Sequence, residues 1–414
     1  MKVLVIVDSI DKNHSSGAKA NVALIENLAA IGYSLTIIHQ SATDIHVKGA
    51  SMRWAKPKKA SLTYLLSRSQ RVFTRITGWN INPTIEKWFG FSFTFFNDVT
   101  SFYSVAKKEN PANFDWVLTL SYASSFRPHA AVLRLPHFHN KWLAYVHDPY
   151  PMHSYPRPYD WVEPGHQYKR NFFLKIAKQA KFMLYPSDYL AEWMEQYNED
   201  AKGKRIIIPH QGNQEEFVNA KAVESPYIFK DTFVVLHSGS LMDARNPFGL
   251  IRGFQLFLEQ NPDAQTNSKL LFVGIRSNFH QRIEAIQKNC PQILLSDGYV
   301  SFEETLEIQK QASVNVILEA IAYFSPFLPG KFTHCILAKK PLLLVGPFFS
   351  ESKRLLGPDY PFWASNQDAE QIAIHLKSLY EKWKTESNYG YIREDLIHYL
   401  SKDYLKTTFD TLLK

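Results

Sequence analysis

The stretch VVLHSGSLMDARNP, from Val234 to Pro247, decides how the second half of the chain folds. An apolar run ends here at a short loop, and a segment of helical period begins at Leu250. Gly239 lets the backbone approach a bound group closely, and Arg245 offers a planar guanidinium that suits phosphate oxygens. The order of strand, loop and helix predicts a phosphate-binding turn, although an ordinary turn with a surface arginine has the same features.

Similar apolar runs alternate with helical segments along the rest of the chain. A helix with the start signal Ser16-Gly17 and the stop signal Gly32 separates the first two runs. The predicted strands are Val3 to Val7, Leu35 to His39, Trp116 to Leu120, Leu143 to His147, Phe182 to Tyr185, Arg205 to Ile208, Phe233 to His237, Leu270 to Val273, Ile293 to Leu295, Val314 to Leu318 and Pro341 to Val345. Parallel strands joined by helical crossovers predict an α/β fold with doubly wound sheets.

Length and composition set the number of domains. A chain of 414 residues, 45% of them hydrophobic, is too long for one core and suits two α/β domains. We expect an N-terminal domain over 1–215, a C-terminal domain over 225–395, and a last helix within 396–414 that packs back on the N-terminal domain. Ligands bind outside the carboxyl ends of strands in such sheets, so the two domains are expected to face each other across a cleft.

The cysteines and the N-terminus indicate the compartment. Cys290 and Cys335 lie in apolar stretches without the spacing of metal ligands, so neither a disulfide framework nor a zinc site is expected. The N-terminus MKVLVIVDSIDK has too short an apolar core for a signal peptide and predicts a first strand. The Phe-rich run from Trp88 to Ala106 is too polar for a membrane span. We therefore expect a cytoplasmic protein.

The formal net charge of +8 lies in one segment. Between Lys48 and Lys87 nine Lys or Arg residues stand against a single acid, Glu86, whereas the rest of the chain is balanced. A local excess of positive charge attracts anionic lipid or nucleic acid. No known nucleic-acid motif accompanies this segment, so we expect an anionic membrane surface as the partner and no nucleic acid.

The same segment predicts an amphipathic helix from Ser61 to Gly78. Five apolar side chains can share one face, and three arginines cluster elsewhere: Leu62, Leu65, Leu66, Phe73 and Ile76, with Arg68, Arg71 and Arg75. A basic amphipathic helix of this kind can lie in a lipid interface. An ordinary surface helix that packs on its own domain has the same pattern, and both alternatives stay open.

Four further motifs follow the Gly239 loop in a fixed order. They are Leu271-Phe272-Val273-Gly274, Gly298-Tyr299-Val300-Ser301, Ala312 to Leu318, and Phe327-Leu328-Pro329-Gly330-Lys331-Phe332 before Leu337 to Leu343. In this order and spacing they resemble the C-terminal donor-binding domain of retaining GT-B glycosyltransferases of the group 1 type. The resemblance implies the GT-B fold, in which one Rossmann-like domain binds the acceptor and the other binds a nucleotide-sugar donor.

The resemblance also implies the residues of the donor site. The implied contacts to the donor diphosphate are Gly239, Ser240, Arg245, Pro329, Gly330 and Lys331. Tyr299 and Val300 would contact the nucleotide base, by stacking and by backbone hydrogen bonds. A core position for Tyr299 and an ordinary surface position for Lys331 are the alternatives. Gly17 would lie in the first loop, where relatives have two adjacent glycines, and this loop would close over the acceptor or the diphosphate.

Three positions depart from the pattern of the family. Ser240 stands where many relatives carry an arginine, and His334 stands where many carry an acid. The pair of glutamates seven residues apart is absent, which leaves Glu319 at a strand end as a substitute contact to the donor sugar.

The N-terminal half supplies catalytic candidates in WLAYVHDPYP, residues 142–151. A strand delivers His147 and Asp148 to its carboxyl end, and Pro149 prevents a simple continuation. Relatives often place a histidine or an acid here. The resemblance therefore implies that Asp148 orients the acceptor hydroxyl or takes its proton, while His147 hydrogen-bonds the donor sugar. A structural histidine that caps the strand is the alternative.

Together these features predict a retaining glycosyltransferase that moves a sugar from a nucleotide-sugar donor to a glycan or lipid-linked acceptor, in cell-surface polysaccharide or glycoconjugate synthesis. Arg245 and Lys331 would act catalytically by stabilising the leaving diphosphate, so no metal and no cofactor besides the donor are expected. We expect the enzyme in the cytoplasm, on the inner face of the membrane. Alternatives are a nucleotide-sugar 2-epimerase on the same fold and a non-catalytic two-domain small-ligand binding protein.

Overall fold

The computed structural model describes residues 1–11, 16–41, 45–122, 124–212, 217, 223–386 and 390–412. The chain divides into two compact units, Met1–Gln211 together with Lys402–Lys414, and Gly212–Ser401. The first unit is thus made of two separate parts of the chain, on either side of the second unit. Of the helices described, none is long and apolar enough to cross a membrane.

The first unit is built on one parallel sheet of seven strands. The strands are β1 (Lys2–Val7), β2 (Ser34–His39), β3 (Ala50–Trp54), β4 (Trp116–Leu120), β5 (Trp142–Tyr145), β6 (Phe182–Tyr185) and β7 (Arg205–Ile207). They pair in the order β3-β2-β1-β4-β5-β6-β7. The central strands β1, β4 and β5 are buried along almost their whole length, as expected when helices cover both faces of a parallel sheet.

The helices of the first unit connect these strands and cover the sheet. They are α1 (Ser16–Ala30), α2 (Leu62–Thr77), α3 (Asn82–Phe89), α4 (Phe93–Ala106), α5 (Arg127–Leu133), α6 (His166–Gln179) and α7 (Asp188–Gln196). α1 ends at Ala30, and Gly32 just beyond it has a φ of 89°, a left-handed conformation that glycine adopts readily after a helix end. Phe102 and Trp142 are fully buried in the core between α4 and the sheet.

The second unit has a parallel sheet of six strands and a small two-stranded sheet. Its strands are β8 (Phe233–Ser238), β9 (Ser268–Val273), β10 (Ile293–Leu295), β11 (Val314–Leu318), β12 (Phe324–Ser325), β13 (Leu342–Val345), β14 (Phe349–Ser350) and β15 (Trp363–Ala364). The large sheet has the order β10-β9-β8-β11-β13-β15 and the small one pairs β12 with β14. The helices are α8 (Phe248–Gln260), α9 (Ala264–Asn267), α10 (His280–Gln287), α11 (Phe302–Gln311), α12 (Gly330–Leu337), α13 (Glu351–Leu356), α14 (Ala369–Thr385) and α15 (Glu394–Tyr399).

Every strand expected from an apolar run is present, and the two largest differences from the prediction in the first sheet concern β3 and β5. β3 lies at the edge of this sheet and leaves most of its side chains exposed, so no apolar run marks it in the sequence. β5 ends at Tyr145 rather than at His147. Val146 still donates its backbone N–H to the Leu184 carbonyl at 2.8 Å before the chain leaves the sheet.

The last helix, α16 (Lys402–Thr411), belongs to the core of the first unit. Leu405 and Phe409 are fully buried there. The ring of Phe409 meets Tyr33 edge-on with the ring centroids 6.0 Å apart, and the Tyr33 hydroxyl donates to Asp410 Oδ1 at 3.0 Å. The chain therefore returns to its first unit after completing the second.

Candidate functional site

The Gly239 loop lies at the carboxyl edge of the second sheet. β8 has β9 on one side and β11 on the other, so the strand order reverses at this strand. Ligands of open α/β sheets bind outside the carboxyl ends of the strands at such a point. The loops after β8, β9 and β11 begin with Gly239, Gly274 and Glu319. These three residues therefore mark the candidate site.

The backbone at Gly239 requires glycine. Its φ is 117°, a region that residues with a side chain rarely adopt. Its N–H donates to the Val273 carbonyl at 2.7 Å, and a Cβ on Gly274 would lie only 2.7 Å from the Gly239 carbonyl oxygen. Gly239 and the following Ser240 are exposed. The two strand ends thus pack closely while the loop remains open to solvent.

Lys331 brings an ammonium group to this loop. A Cβ on Gly239 would lie 3.4 Å from Lys331 Nζ, and Nζ lies 3.3 Å from both ring nitrogens of His237. Equal distances place the ammonium against the ring face, since an in-plane position would overlap the Cε1–H group. Burial, and then the nearby Arg245, lower the pKa of Lys331 to about 7. Burial lowers the pKa of His237 well below its ordinary value, so a neutral imidazole lies beside an amine that titrates near neutrality.

Arg245 supplies a second positive charge from the loop between β8 and α8. It is partly exposed, and its backbone N–H donates to the Met242 carbonyl at 2.7 Å, which closes a turn. Within the described part of the chain, neither Arg245 nor Lys331 takes part in an ion pair. Two cations that share a site without a carboxylate partner suit a bound diphosphate.

The N-terminus of α12 is open toward the same region. Pro329 precedes the helix, Gly330 is its exposed first residue, and a Cβ on Gly330 would meet no atom within 4 Å. The free N–H groups and the dipole at a helix N-terminus attract phosphate. His334, one turn further on, packs its ring against Phe302 with centroids 5.1 Å apart.

Glu319 is a buried carboxylate at the end of β11. Glu319 is only 3% exposed. Neither of its carboxylate oxygens has a partner with hydrogen-bond geometry among the described residues. Burial raises the pKa of Glu319, and the nearby hydroxyls of Ser325 and Ser352 and the charge of Arg245 partly offset this. A buried acceptor that lacks a donor costs free energy unless a ligand supplies one.

Tyr299 and Val300 lie in the loop between β10 and α11. Tyr299 is 66% exposed, so its ring is available for stacking and is not part of the core. Val300 is partly buried. The Gly274 N–H donates to Ser296 Oγ at 3.1 Å, which ties the loop after β9 to the loop after β10.

Three further residues near this edge, His237, Gln309 and Asn366, are not among the predicted site residues. Gln309 Nε2 donates to Ser238 Oγ at 2.8 Å, and Asn366 Nδ2 donates to the Glu319 carbonyl at 2.9 Å. These hydrogen bonds connect the end of β8 to α11 and the end of β11 to the loop after β15. Both partners lie far along the chain from the strand ends that they contact. Only His237 has a signal in the sequence, because it lies just before the glycine loop at the end of a strand.

A second group of polar side chains lies at the carboxyl ends of β4 and β5 in the first unit. His147 is buried and its backbone N–H donates to Ser121 Oγ at 3.0 Å. Its Nε2 lies 2.6 Å from Asn21 Oδ1, and Asn21 Nδ2 donates to the Ser121 carbonyl at 3.1 Å. The second bond fixes the orientation of the Asn21 amide, so His147 Nε2 carries the proton. His147 Nδ1 has no hydrogen-bond partner among the residues described.

The electrostatics of this group keep His147 neutral. Burial lowers its pKa well below the ordinary value, and His210 and His129 lower it further. The ring stacks on His210 with centroids 5.4 Å apart. Asp148, the next residue along the chain, is partly exposed. His147 therefore presents a hydrogen-bond acceptor, next to a carboxylate that solvent can reach.

The predicted first loop lies only in part within the described residues. Residues 12–15 lie outside the described residues, and Gly17 lies in the first turn of α1. Asn21, one turn later on the same helix, is the residue that contacts His147. The start of α1 therefore lies at the same sheet edge as the candidate residues of the first unit.

No known family model and no curated protein sequence matches this chain. Solved structures match over its whole length. A glycosyltransferase from Rickettsia africae has a TM-score of 0.59 and 12% identity, covering 99% of this chain and 98% of its own. A trehalose-6-phosphate protein from E. coli bound with UDP-2-fluoro glucose has a TM-score of 0.59 and 13% identity, covering 100% and 99%. An α,α-trehalose-phosphate synthase (UDP-forming) from Burkholderia xenovorans in complex with glucose-6-phosphate has a TM-score of 0.62 and 12% identity, covering 100% and 99%.

At these identities the likeness shows the fold. The chain has the GT-B fold of glycosyltransferases, with two parallel α/β sheets, as the four motifs of its second half predict.

Proposed function

We propose that this protein is a glycosyltransferase whose second unit binds a nucleotide-sugar donor. The observation that carries the proposal is the pair Lys331 and Arg245, two cations without an ion-pair partner in the described residues, beside an open glycine loop. A nucleoside diphosphate has the complementary charge. Negative charge builds on the diphosphate as it leaves the sugar, and fixed cations stabilise that charge in the transition state. The E. coli structure with UDP-2-fluoro glucose has the same fold, which supports a donor of this class.

The remaining contacts to the donor are made by exposed groups of the loops and by buried atoms that lack a hydrogen-bond partner among the described residues. The exposed ring of Tyr299 stacks on the base, and the backbone at Val300 hydrogen-bonds its edge. Gly239 and Ser240 contact the diphosphate through their backbone, and the N-terminus of α12 adds N–H donors. Glu319 accepts hydrogen bonds from hydroxyls of the donor sugar, which supplies the partners that its oxygens lack.

The first unit supplies the groups for the acceptor side of the reaction. Asp148 orients the acceptor hydroxyl or takes its proton. His147 is neutral and accepts a hydrogen bond from a hydroxyl of the donor sugar at Nδ1. The transferred group is a hexose, and its configuration is retained, in line with the resemblance of the second unit to retaining enzymes. Lys331 and Arg245 supply the positive charge at the leaving group, so the transfer needs no divalent metal.

The acceptor is a glycan or a lipid-linked sugar, and the reaction belongs to cell-surface polysaccharide or glycoconjugate synthesis. The basic segment from Lys48 to Lys87 supports this choice, because it gives the enzyme an anionic membrane surface as a partner on the inner face of the membrane. A sugar phosphate is the rival acceptor, since the similar Burkholderia xenovorans synthase was solved with glucose-6-phosphate.

Turnover of a panel of nucleotide sugars tests this proposal. We expect one nucleoside diphosphate to be released, and only with one class of acceptor. EDTA should not slow this release. NMR should show that the product has the same anomeric configuration as the donor. Glu319→Gln should slow turnover by about 100-fold and leave diphosphate binding intact. Lys377→Gln, an exposed site on α14, is the matched control and should be unchanged.

Two other results would replace the proposal. A product that is the C2 epimer of the donor sugar would identify an epimerase. Tight binding of a small ligand without turnover of any nucleotide sugar would identify a binding protein.

A further inference from the structure

The segment that includes α2 and α3 exposes an unusual number of large apolar side chains. Among the residues that the structure describes, twenty-three large hydrophobic residues are exposed, and ten of them lie between Trp54 and Phe89, namely Trp54, Leu62, Leu65, Leu66, Val72, Phe73, Ile76, Trp79, Trp88 and Phe89. Single exposed apolar residues are ordinary, but a concentration of them marks an interaction surface.

α2 packs on its own unit through its polar face. Its buried residues are Ser67 and Gln70. Ser67 Oγ lies 2.7 Å from Thr94 Oγ1 of α4, and Gln70 hydrogen-bonds to Asn82 at the start of α3. An amphipathic helix on a globular protein normally turns its apolar stripe toward the core. In α2 the buried face is polar and makes these hydrogen bonds, and the apolar stripe faces solvent.

The exposed side of α2 has two separate faces. At 100° per residue the six apolar side chains of α2 named above occupy a stripe of roughly 120°. Arg68, Arg71 and Arg75 fall on a third stripe, between the apolar stripe and the buried Ser67. Of the nine basic residues from Lys48 to Lys87, within the described part of the chain only Arg53 forms an ion pair, with Glu109 at 3.4 Å. The positive charge beside the apolar stripe is thus available to a partner.

We propose that α2 lies in the interface of an anionic phospholipid bilayer, with Leu65 and Ile76 entering the acyl boundary and the arginines at the phosphate level. Trp79 and Trp88, 75% and 67% exposed, suit the headgroup region, where indole rings favour the boundary between water and lipid. Charge complementarity selects this occupant. A second copy of the chain would bring the same positive segment against itself in a two-fold interface.

This inference rests on the membrane partner proposed above and is independent of the donor chemistry. Co-sedimentation of the full chain with vesicles tests it, using phosphatidylcholine with and without phosphatidylglycerol at low and high salt. We expect binding only to the anionic vesicles, weakened by salt. Leu65→Ser with Ile76→Ser should lower the partition coefficient at least about tenfold, and Arg68→Gln with Arg75→Gln about fivefold for each charge removed.

A matched double variant in the second unit controls for loss of exposed apolar surface and charge. Ile374→Ser with Lys377→Gln, both on exposed positions of α14, should bind vesicles like the wild type. Thermal stabilisation by a nucleoside diphosphate reports on folding and on the donor site in every variant.

Three results would overturn the inference. If the wild type binds a nucleoside diphosphate but not anionic vesicles at low salt, the lipid surface is wrong and the proposed enzyme stands. If the α2 variants bind vesicles as well as the wild type, another surface is responsible. If light scattering shows a dimer that Leu65→Ser with Ile76→Ser dissociates, the apolar stripe is an interface between copies.

Discussion

Two opposing effects act on the charge of Lys331. A diphosphate site needs its positive charge, but burial and the nearby Arg245 lower its pKa to about 7. A bound diphosphate would favour the protonated form and raise this pKa. Because the two states differ in pKa, binding above neutral pH must take up a proton. The charge at this position therefore depends on the ligand as well as on pH.

We expect the affinity for a nucleoside diphosphate to fall as the pH rises above about 7, by up to about tenfold per pH unit. Below the pKa of free Lys331 the amine is protonated with and without ligand, so affinity does not change there for this reason. Titration calorimetry at about pH 8, in buffers that differ in ionisation enthalpy, should report uptake of about one proton. Lys331→Met should bind weakly and without proton uptake. The same proton uptake in Lys331→Met would assign it to another group.

At the level of elements, the site depends on close contact between the loops after β8 and β9. A Cβ on Gly274 would lie 2.7 Å from the Gly239 carbonyl oxygen, which is a backbone atom and cannot rotate away. We expect Gly274→Ala to displace the Gly239 loop and to lower diphosphate affinity at least about tenfold, with a loss of about 1–3 kcal/mol in unfolding free energy. Calorimetry and chemical denaturation measure the two effects. Unchanged affinity would show that the loop position does not govern binding.

The sequence predicts the βα units well because each leaves a local signal. The apolar run before Ser238 and Gly239 marks both β8 and its ligand loop. β3 leaves no such signal, because an edge strand with exposed side chains has no apolar run. The orientation of α2 is also hidden, since the hydrophobic pattern alone would turn the apolar stripe inward.

Contacts between distant residues explain what local patterns miss. Ser67 hydrogen-bonds to Thr94 of another helix, and this contact lies on the face of α2 that is buried. Lys331 and His237 are also far apart in the sequence but in contact in the fold. Three strands of the large sheet, β9, β10 and β11, come between β8 and the helix that carries Lys331. The sequence therefore identifies the charged residues of the site but not the neutral imidazole that lies beside one of them.

At the scale of the whole molecule, the chain crosses between its units twice. The second crossing returns α16 to the first unit, where Phe409 is fully buried against Tyr33. We expect Phe409→Ala to lower the free energy of unfolding by about 3 kcal/mol, the cost of an empty aromatic site in a core. Thr407→Ala, an exposed position of the same helix, is the control. Equal stability of the two variants in denaturant unfolding would show that α16 does not pack there in solution.

The most direct test of the donor site is thermal stabilisation by a panel of nucleoside diphosphates, measured for the wild type, Arg245→Ala and Arg252→Ala. Arg252 lies on the exposed side of α8 and pairs with Glu259 at 2.9 Å, so its loss controls for the removal of an arginine. We predict that one diphosphate at about 100 times its Kd raises the melting temperature by about 5 °C in the wild type and in Arg252→Ala. The shift should be lost in Arg245→Ala. No shift with any diphosphate would contradict a donor site in the second unit. An equal shift in Arg245→Ala would contradict the role of Arg245 in that site.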